Sequence, residues 1–186
     1  MEFLTQLWLP ILVSAVVVFV LSFLLWAVLP FHHKDYKTVP DEAGLTAYLK
    51  GAGIPAGNYA FPNCATSKEK RGEEFTKRWK EGPTGLLSVW PNNFSMGRNL
   101  ALTFLVFLVV SVLIGYLASH ALGRAVTPMA IFRFAGTAGV LAYSFAFLPN
   151  GIWFNATPSA LVRNIVDGVV YGLATGAVFA LLWPGA

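Results

Sequence analysis

The chain has 186 residues, of which 56% are hydrophobic and only 12% are charged, and it carries a net charge of +4. Ordinary soluble domains contain about 25% charged residues, so this composition excludes a typical soluble globular protein. The positive charge does not indicate nucleic-acid binding, because the lysines and arginines between positions 68 and 80 are interspersed with glutamates and give a locally balanced charge field.

Four long apolar stretches dominate the chain. Each is close to the roughly 20 residues that a helix needs to cross a hydrocarbon core about 30 Å thick. Lipid offers no partner to backbone amides, so such stretches are expected to be helices. The sequence therefore predicts an all-α polytopic membrane protein with transmembrane helix 1 in residues 1–30 and helices 2 to 4 in residues 98–186. The four apolar stretches are residues 7–29, 100–122, 129–148 and 161–183.

Residues 31–97, between helices 1 and 2, form the one region that is polar enough to fold in water. Asp41 and Glu42 suit the first turn of a short helix. Two short runs, each opened by glycine and closed by proline, are typical of strands, and a charged run between them is typical of a helix. These runs are GNYAFP, GLLSVWP and KEKRGEEFTKRWKEG. The sequence predicts a small α+β cap inserted between helices 1 and 2; the alternative is a partly ordered loop that a partner protein orders.

The distribution of basic residues near the apolar stretches predicts the orientation. More of them lie on the cap side, and the positive-inside rule then favours a cytoplasmic cap. We therefore expect a multi-pass protein of the cell membrane, with both termini on the side opposite to the cap. The residues counted are Lys34, Lys37, Arg98 and Arg163 on the cap side, and Arg124 and Arg133 on the other.

Small residues recur at four-residue spacing in helices 2 and 4. Spacing by four places each row on one helix face, and small residues allow the close backbone approach by which helices associate in lipid. The rows predict helix packing, either within the chain or against another subunit. They are Ser111, Gly115, Ser119 and Gly123 in helix 2, and Gly168, Gly172, Gly176 and Ala180 in helix 4.

Asp167 is the main candidate for chemistry within the membrane. A carboxylate inside a spanning helix is costly unless it is paired, protonated or hydrated. Arg163 lies four residues earlier on the same helix face, so the local spacing predicts an Arg163–Asp167 ion pair with Asn164 beside it. The functional interpretation is a proton or cation site that also includes Tyr171 and Tyr143; the structural interpretation is an ion pair at the helix entrance.

A second polar group, His32, His33 and Asp35, follows helix 1 directly. Adjacent imidazoles rarely aim at one ion without further ligands, so these residues indicate polar positioning at the interface more than a metal site. The sequence predicts no metal and no cofactor. The single cysteine, Cys64, cannot form an internal disulfide.

Two functions remain open at this point. No complete catalytic signature is present, which argues against an enzyme. The first hypothesis is a noncatalytic subunit or scaffold of a larger membrane complex, motivated by the rows of small residues. The alternative is a transport or binding protein for a small molecule, an ion or a proton, centred on the polar entrance of helix 4. The expected partners are the lipid bilayer and other membrane subunits or further copies of the chain, with no nucleic acid.

Overall fold

The structure is a computed structural model that describes residues 2–123 and 126–185. Arg124, one of the basic residues on which the predicted orientation is based, lies outside the described residues. The chain forms two compact units: a helical unit, made of the residues up to Lys37 and from Met96 onward, and a cap unit, Thr38–Ser95. The segment that carries His32 and Asp35 therefore belongs to the helical unit, although the sequence placed it in the cap.

The described residues form ten helical segments or strands of ordinary type, and two helices continue as single π-helical turns. In chain order they are α1 (Glu2–Phe23), π1 (Leu24–Val28), α2 (Glu42–Gly51), β1 (Gly57–Phe61), α3 (Ser67–Lys70), α4 (Glu73–Glu81), β2 (Gly85–Val89), α5 (Met96–Ala121), α6 (Pro128–Val140), π2 (Leu141–Phe145), α7 (Leu148–Trp153) and α8 (Pro158–Leu182).

Four helices in the described residues are long and apolar enough to cross a membrane, as the sequence predicts. They are Glu2–Val28, Met96–Ala121, Pro128–Trp153 and Pro158–Leu182.

The two helices that start at Pro128 and Pro158 begin in the same way. Thr127 and Thr157 each accept a hydrogen bond from a backbone N–H in the first turn, and a proline follows directly. Threonine is a favourable N-cap, and proline fits the first helical position because its missing N–H would have no partner there.

Helices α6 and α8 approach each other through glycine. A methyl group added to Gly172 would lie 2.4 Å from the backbone nitrogen of Val140, and one added to Gly139 would lie 2.8 Å from the Gly172 Cα. Gly176 faces Phe132 and Gly136 equally closely, at 2.7 and 2.9 Å. Most of the α8 row therefore lies against the preceding spanning helix of the same chain.

The α5 row divides into two parts. Ser111 and Gly115 are buried, and Gly115 faces the side chain of Ile11 on α1. Ser119 is only half-buried and Gly123 is exposed. The apolar core beside the buried part is made of side chains from all four spanning helices: Leu7, Ile11, Ile114, Ile131, Ala135 and Phe179.

The cap unit contains the predicted short helix and two-stranded sheet. Asp41 caps α2 by accepting a hydrogen bond from the Gly44 backbone nitrogen at 2.8 Å. Strands β1 and β2 pair antiparallel, with Gly57 opposite Val89 at one end and Phe61 opposite Gly85 at the other. The charged run between the strands forms α3 and α4.

Candidate functional site

The first spanning helix ends in a way that returns the chain to the bundle. The turn π1 is closed by a hydrogen bond from the Leu29 nitrogen to the Leu24 carbonyl at 2.9 Å, and Pro30 follows. A tight turn comes next, in which the Asp35 nitrogen donates to the His32 carbonyl at 3.0 Å. Single π-helical turns are found frequently at functional sites. Here the irregular end of helix 1 directs His32 and Asp35 toward α8.

His32 lies between two carboxylates. Its Nδ1 is 2.6 Å from Oδ2 of Asp35, and its Nε2 is 2.9 Å from Oδ2 of Asp167. All three side chains are at least nine-tenths buried, with 4%, 7% and 4% of their surface exposed for His32, Asp35 and Asp167. The imidazole thus connects a carboxylate next to helix 1 with a carboxylate inside helix α8.

Trp26 contacts two members of this group, Asp167 and His32. Its indole N–H donates to Oδ2 of Asp167 at 3.0 Å. Its ring stacks on the His32 imidazole, with centroids 3.8 Å apart and planes 6° from parallel. The second oxygen of Asp167, Oδ1, is buried and has no hydrogen-bond partner among the described residues. Asp167 therefore keeps one acceptor atom available in an apolar surrounding.

Arg163 completes the group by binding Asp35. Its Nε donates to Oδ1 of Asp35 at 2.8 Å, and its Nη2 contacts the same oxygen. Burial alone raises the pKa of Asp35, but hydrogen bonds and positive charge from Arg163 and His32 outweigh burial and leave the pKa below its ordinary value. Asp35 is consequently ionised and balanced by Arg163.

The charges of these four groups sum to zero when the His32–Asp167 pair carries one proton. Arg163 cancels Asp35, so the pair is either imidazolium with carboxylate or neutral imidazole with carboxylic acid. Both arrangements supply a proton between Nε2 and Oδ2. Removing that proton leaves one negative charge in a buried site, which is expensive. We call Trp26, His32, Asp35, Arg163 and Asp167 the proton-pair site.

The predicted pairing of Arg163 with Asp167 is replaced by two others. Arg163 binds Asp35, and Asp167 binds His32 and Trp26. Asn164 donates to the Ala160 carbonyl of its own helix at 2.9 Å and takes no part in either pair. The structural reason is that the chain after helix 1 brings Asp35 and His32 to α8. There Asp35 pairs with Arg163, and His32 pairs with Asp167.

Tyr171 and Tyr143, the other two predicted site residues, lie next to each other. Their rings make an edge-to-face contact with centroids 5.8 Å apart. The Tyr171 hydroxyl lies close to the indole of Trp26, and Asp167 lies four residues earlier on the same helix. Neither tyrosine hydroxyl forms a hydrogen bond of ordinary geometry with a described residue, although both are buried.

His32 and His33, which the sequence analysis considered as possible metal ligands, lie in different surroundings. His32 is buried in the proton-pair site, with both ring nitrogens within hydrogen-bond distance of carboxylates, whereas His33 is exposed. Within residues 2–123 and 126–185 no cluster of three or more histidine, cysteine or acidic side chains is arranged to hold a metal ion. The two ring nitrogens of His32, which would be its metal-binding atoms, already contact Asp35 and Asp167.

Comparison with protein-family models, with curated proteins and with solved structures finds no significant match to the chain.

Proposed function

We propose that the chain is a multi-pass membrane protein that binds and transfers protons at the His32–Asp167 pair. The observation that carries this proposal is the placement of one imidazole between two buried carboxylates, only one of which has a guanidinium partner. The four spanning-length helices support a location in the bilayer. The second of the two hypotheses from the sequence was a transport or binding protein for a small molecule, an ion or a proton. The proposal restricts that hypothesis to the proton.

The reason for choosing a proton over a larger solute is the size and donor set of the site. His32 and Asp167 are already in contact at 2.9 Å, so an ion between them has to separate the pair. A proton needs no such space. Ionisable residues inside spanning helices commonly mark proton relays, and imidazole changes protonation near neutral pH more readily than other side chains.

The direct test is proton flux into liposomes that contain the purified protein and a trapped pH-sensitive dye, driven by a potassium diffusion potential. We expect the wild type to conduct and Asp167→Asn to lose the flux, because an amide cannot exchange a proton with His32. His32→Gln should behave in the same way.

His33→Gln is the matched control, since it removes an exposed imidazole from the neighbouring position. It should conduct like the wild type. Equal flux in Asp167→Asn and wild type, or no flux in any sample, would overturn the proposal; a folded state common to all variants is checked by size-exclusion chromatography and circular dichroism.

We further propose that the cap unit faces the cytoplasm in the cell membrane and that both termini lie on the other side. The supporting observation is the number of basic residues near the ends of the spanning helices on the cap side. The single cysteine makes a test simple, because Cys64 lies in the cap unit and is partly exposed.

A membrane-impermeant maleimide should label Cys64 only after the cells are permeabilised. In a Cys64→Ser background, Glu2→Cys should instead be labelled in intact cells. Labelling of Cys64 in intact cells would reverse the proposed orientation.

A role as a noncatalytic subunit of a larger membrane complex remains a second prediction. Part of its support was the small-residue row on α8, and that row has a partner inside the chain, since Gly172 and Gly176 lie against α6. The proposal of proton binding therefore takes precedence. Mass spectrometry of the complex after gentle detergent extraction tests the subunit role directly, with heterologous subunits expected if it holds.

A further inference from the structure

A group of hydroxyl side chains meets in the interior of the helical unit. Ser14 comes from α1, Ser111 from α5, Tyr143 from π2 and Thr175 from α8. The Ser14 hydroxyl donates to Thr175 Oγ1 at 3.2 Å, and the Tyr143 hydroxyl lies close to both Ser111 and Thr175. We call these four residues the hydroxyl cluster.

The hydroxyl cluster is not satisfied by its own hydrogen bonds. Ser14, Ser111 and Thr175 are fully buried, and the Ser111 and Tyr143 hydroxyls have no hydrogen-bond partner of ordinary geometry among the described residues. A buried hydroxyl without a hydrogen-bond partner is costly, so each such group calls for a ligand. A hydroxyl both donates and accepts, and a water molecule held by two to four such groups is the usual occupant of a buried polar position.

Helix α8 connects this cluster to the proton-pair site. Asp167, Tyr171 and Thr175 are spaced by four residues and therefore share one helix face, and all three are buried. The Tyr171 hydroxyl lies close to the indole of Trp26, which donates to Asp167, and the Tyr171 ring packs edge to face against Tyr143. Polar groups thus continue along α8 from the acid to the hydroxyl cluster.

We infer that the hydroxyl cluster binds water and, together with Tyr171, carries protons between Asp167 and the interior of the helix bundle. In each step one O–H bond forms on an acceptor oxygen while the same group releases its own proton to the next oxygen. The proton that leaves through Asp167 is the single proton that the His32–Asp167 pair carries, and the pair is restored when a proton from the solvent binds between Nε2 of His32 and Oδ2 of Asp167. The inference rests on the proposed proton-binding function and extends it by naming the route.

The test compares two tyrosine-to-phenylalanine variants, each of which removes a single hydroxyl. Tyr143→Phe should lower the liposome proton flux by roughly tenfold, below the 10²–10⁴-fold effect of a positioned acid or base because water can replace one relay member. Tyr116→Phe is the matched control, since Tyr116 lies on the exposed face of α5, and its flux should equal that of the wild type.

A second readout separates failure of the route from failure of the site. The carboxyl bands of Asp167 and the imidazole bands of His32 in pH-difference infrared spectra report proton binding without transport. We expect Tyr143→Phe to keep these bands while its flux falls roughly tenfold. Full flux in Tyr143→Phe, with Asp167→Asn inactive, overturns the route and leaves the proton-pair site intact, whereas the absence of any pH-dependent band from Asp167 or His32 overturns the site itself.

Cysteine accessibility tests whether water reaches the hydroxyl cluster, and it does not depend on the tyrosine variant. In a Cys64→Ser background, Ser111→Cys should react with a small methanethiosulfonate reagent, because the reaction needs a thiolate and therefore water. Val106→Cys, on the exposed apolar face of α5, should stay unmodified in the bilayer. An unreactive Ser111→Cys in folded protein overturns the inference even if Tyr143→Phe fails to fold.

Discussion

Arg163 determines the charge state of Asp35, and through it that of the whole proton-pair site. Asp35 has a pKa below its ordinary value because Arg163 and His32 together outweigh burial. A carboxyl whose pKa is lowered on folding stabilises the folded state at pH values above the ordinary carboxyl pKa, and it loses that contribution as the pH falls through the lowered value. The Arg163–Asp35 pair is therefore a source of stability at neutral pH.

Arg163→Gln should destabilise the protein at neutral pH, because Asp35 is left buried without its guanidinium. Breaking a fully buried pair costs about 3–5 kcal/mol, and Arg163 is 17% exposed, so we expect roughly 2–3 kcal/mol. Thermal unfolding in detergent at neutral and acid pH measures the effect. The difference from wild type should shrink in acid, where Asp35 becomes protonated.

Two variants test the interpretation of that loss. Asp35→Asn added to Arg163→Gln should recover part of the stability, since it removes the buried charge. Lys77→Gln, which breaks an exposed pair with Glu81, should change the unfolding temperature very little. Equal destabilisation by Lys77→Gln and Arg163→Gln would contradict the assignment.

The sequence identifies Asp167 as a residue that needs a partner but names the wrong one. Helical spacing points to Arg163, four residues away, whereas the actual partner His32 lies 135 residues earlier in the chain. Such a contact depends on how helix 1 ends and is invisible to local spacing. The available signal was a histidine and an aspartate three residues apart after a spanning helix, together with an acid nine residues after the start of α8.

At the scale of elements, the glycine row of α8 sets the distance to α6. Gly172 faces the Val140 backbone, and there is no flexible side chain that could yield to a larger residue. Because helices in lipid associate through close packing, this contact fixes the spacing between α6 and α8, the helix that carries Asp167.

Gly172→Ala should lower the stability by about 1–3 kcal/mol, since its methyl group would lie 2.4 Å from the Val140 nitrogen. Unfolding by sodium dodecyl sulfate, followed by circular dichroism, measures the change. Gly97→Ala is the control, because a methyl group there meets nothing within 4 Å. A Gly172→Ala protein as stable as the wild type would contradict the packing described here.

Much of the element pattern follows from the sequence. Apolar length predicts the four spanning helices, and the Thr-Pro steps at 127–128 and 157–158 explain where two of them begin. The π-helical turns are not predictable in this way, because an apolar run of the same composition continues through them. Both turns carry residues discussed above, Trp26 in π1 and Tyr143 in π2.

At the scale of the whole molecule, the helical unit places its buried ion pairs at one end and its hydroxyl cluster in the interior. Apolar side chains from all four spanning helices surround the rest of the core. In lipid such polar groups are costly, and they persist where they bind one another, water or protons. This arrangement relates the buried polar residues of the bundle to one activity, the binding and transfer of a proton.

The most direct test of this account is the pH-difference infrared spectrum of the protein in lipid nanodiscs. We expect Asp167 carboxyl bands, from the acid or the carboxylate, that change with pH in the wild type and in His33→Gln and that are lost in Asp167→Asn. Spectra of wild type and Asp167→Asn that coincide across the pH range would contradict the proton-pair site.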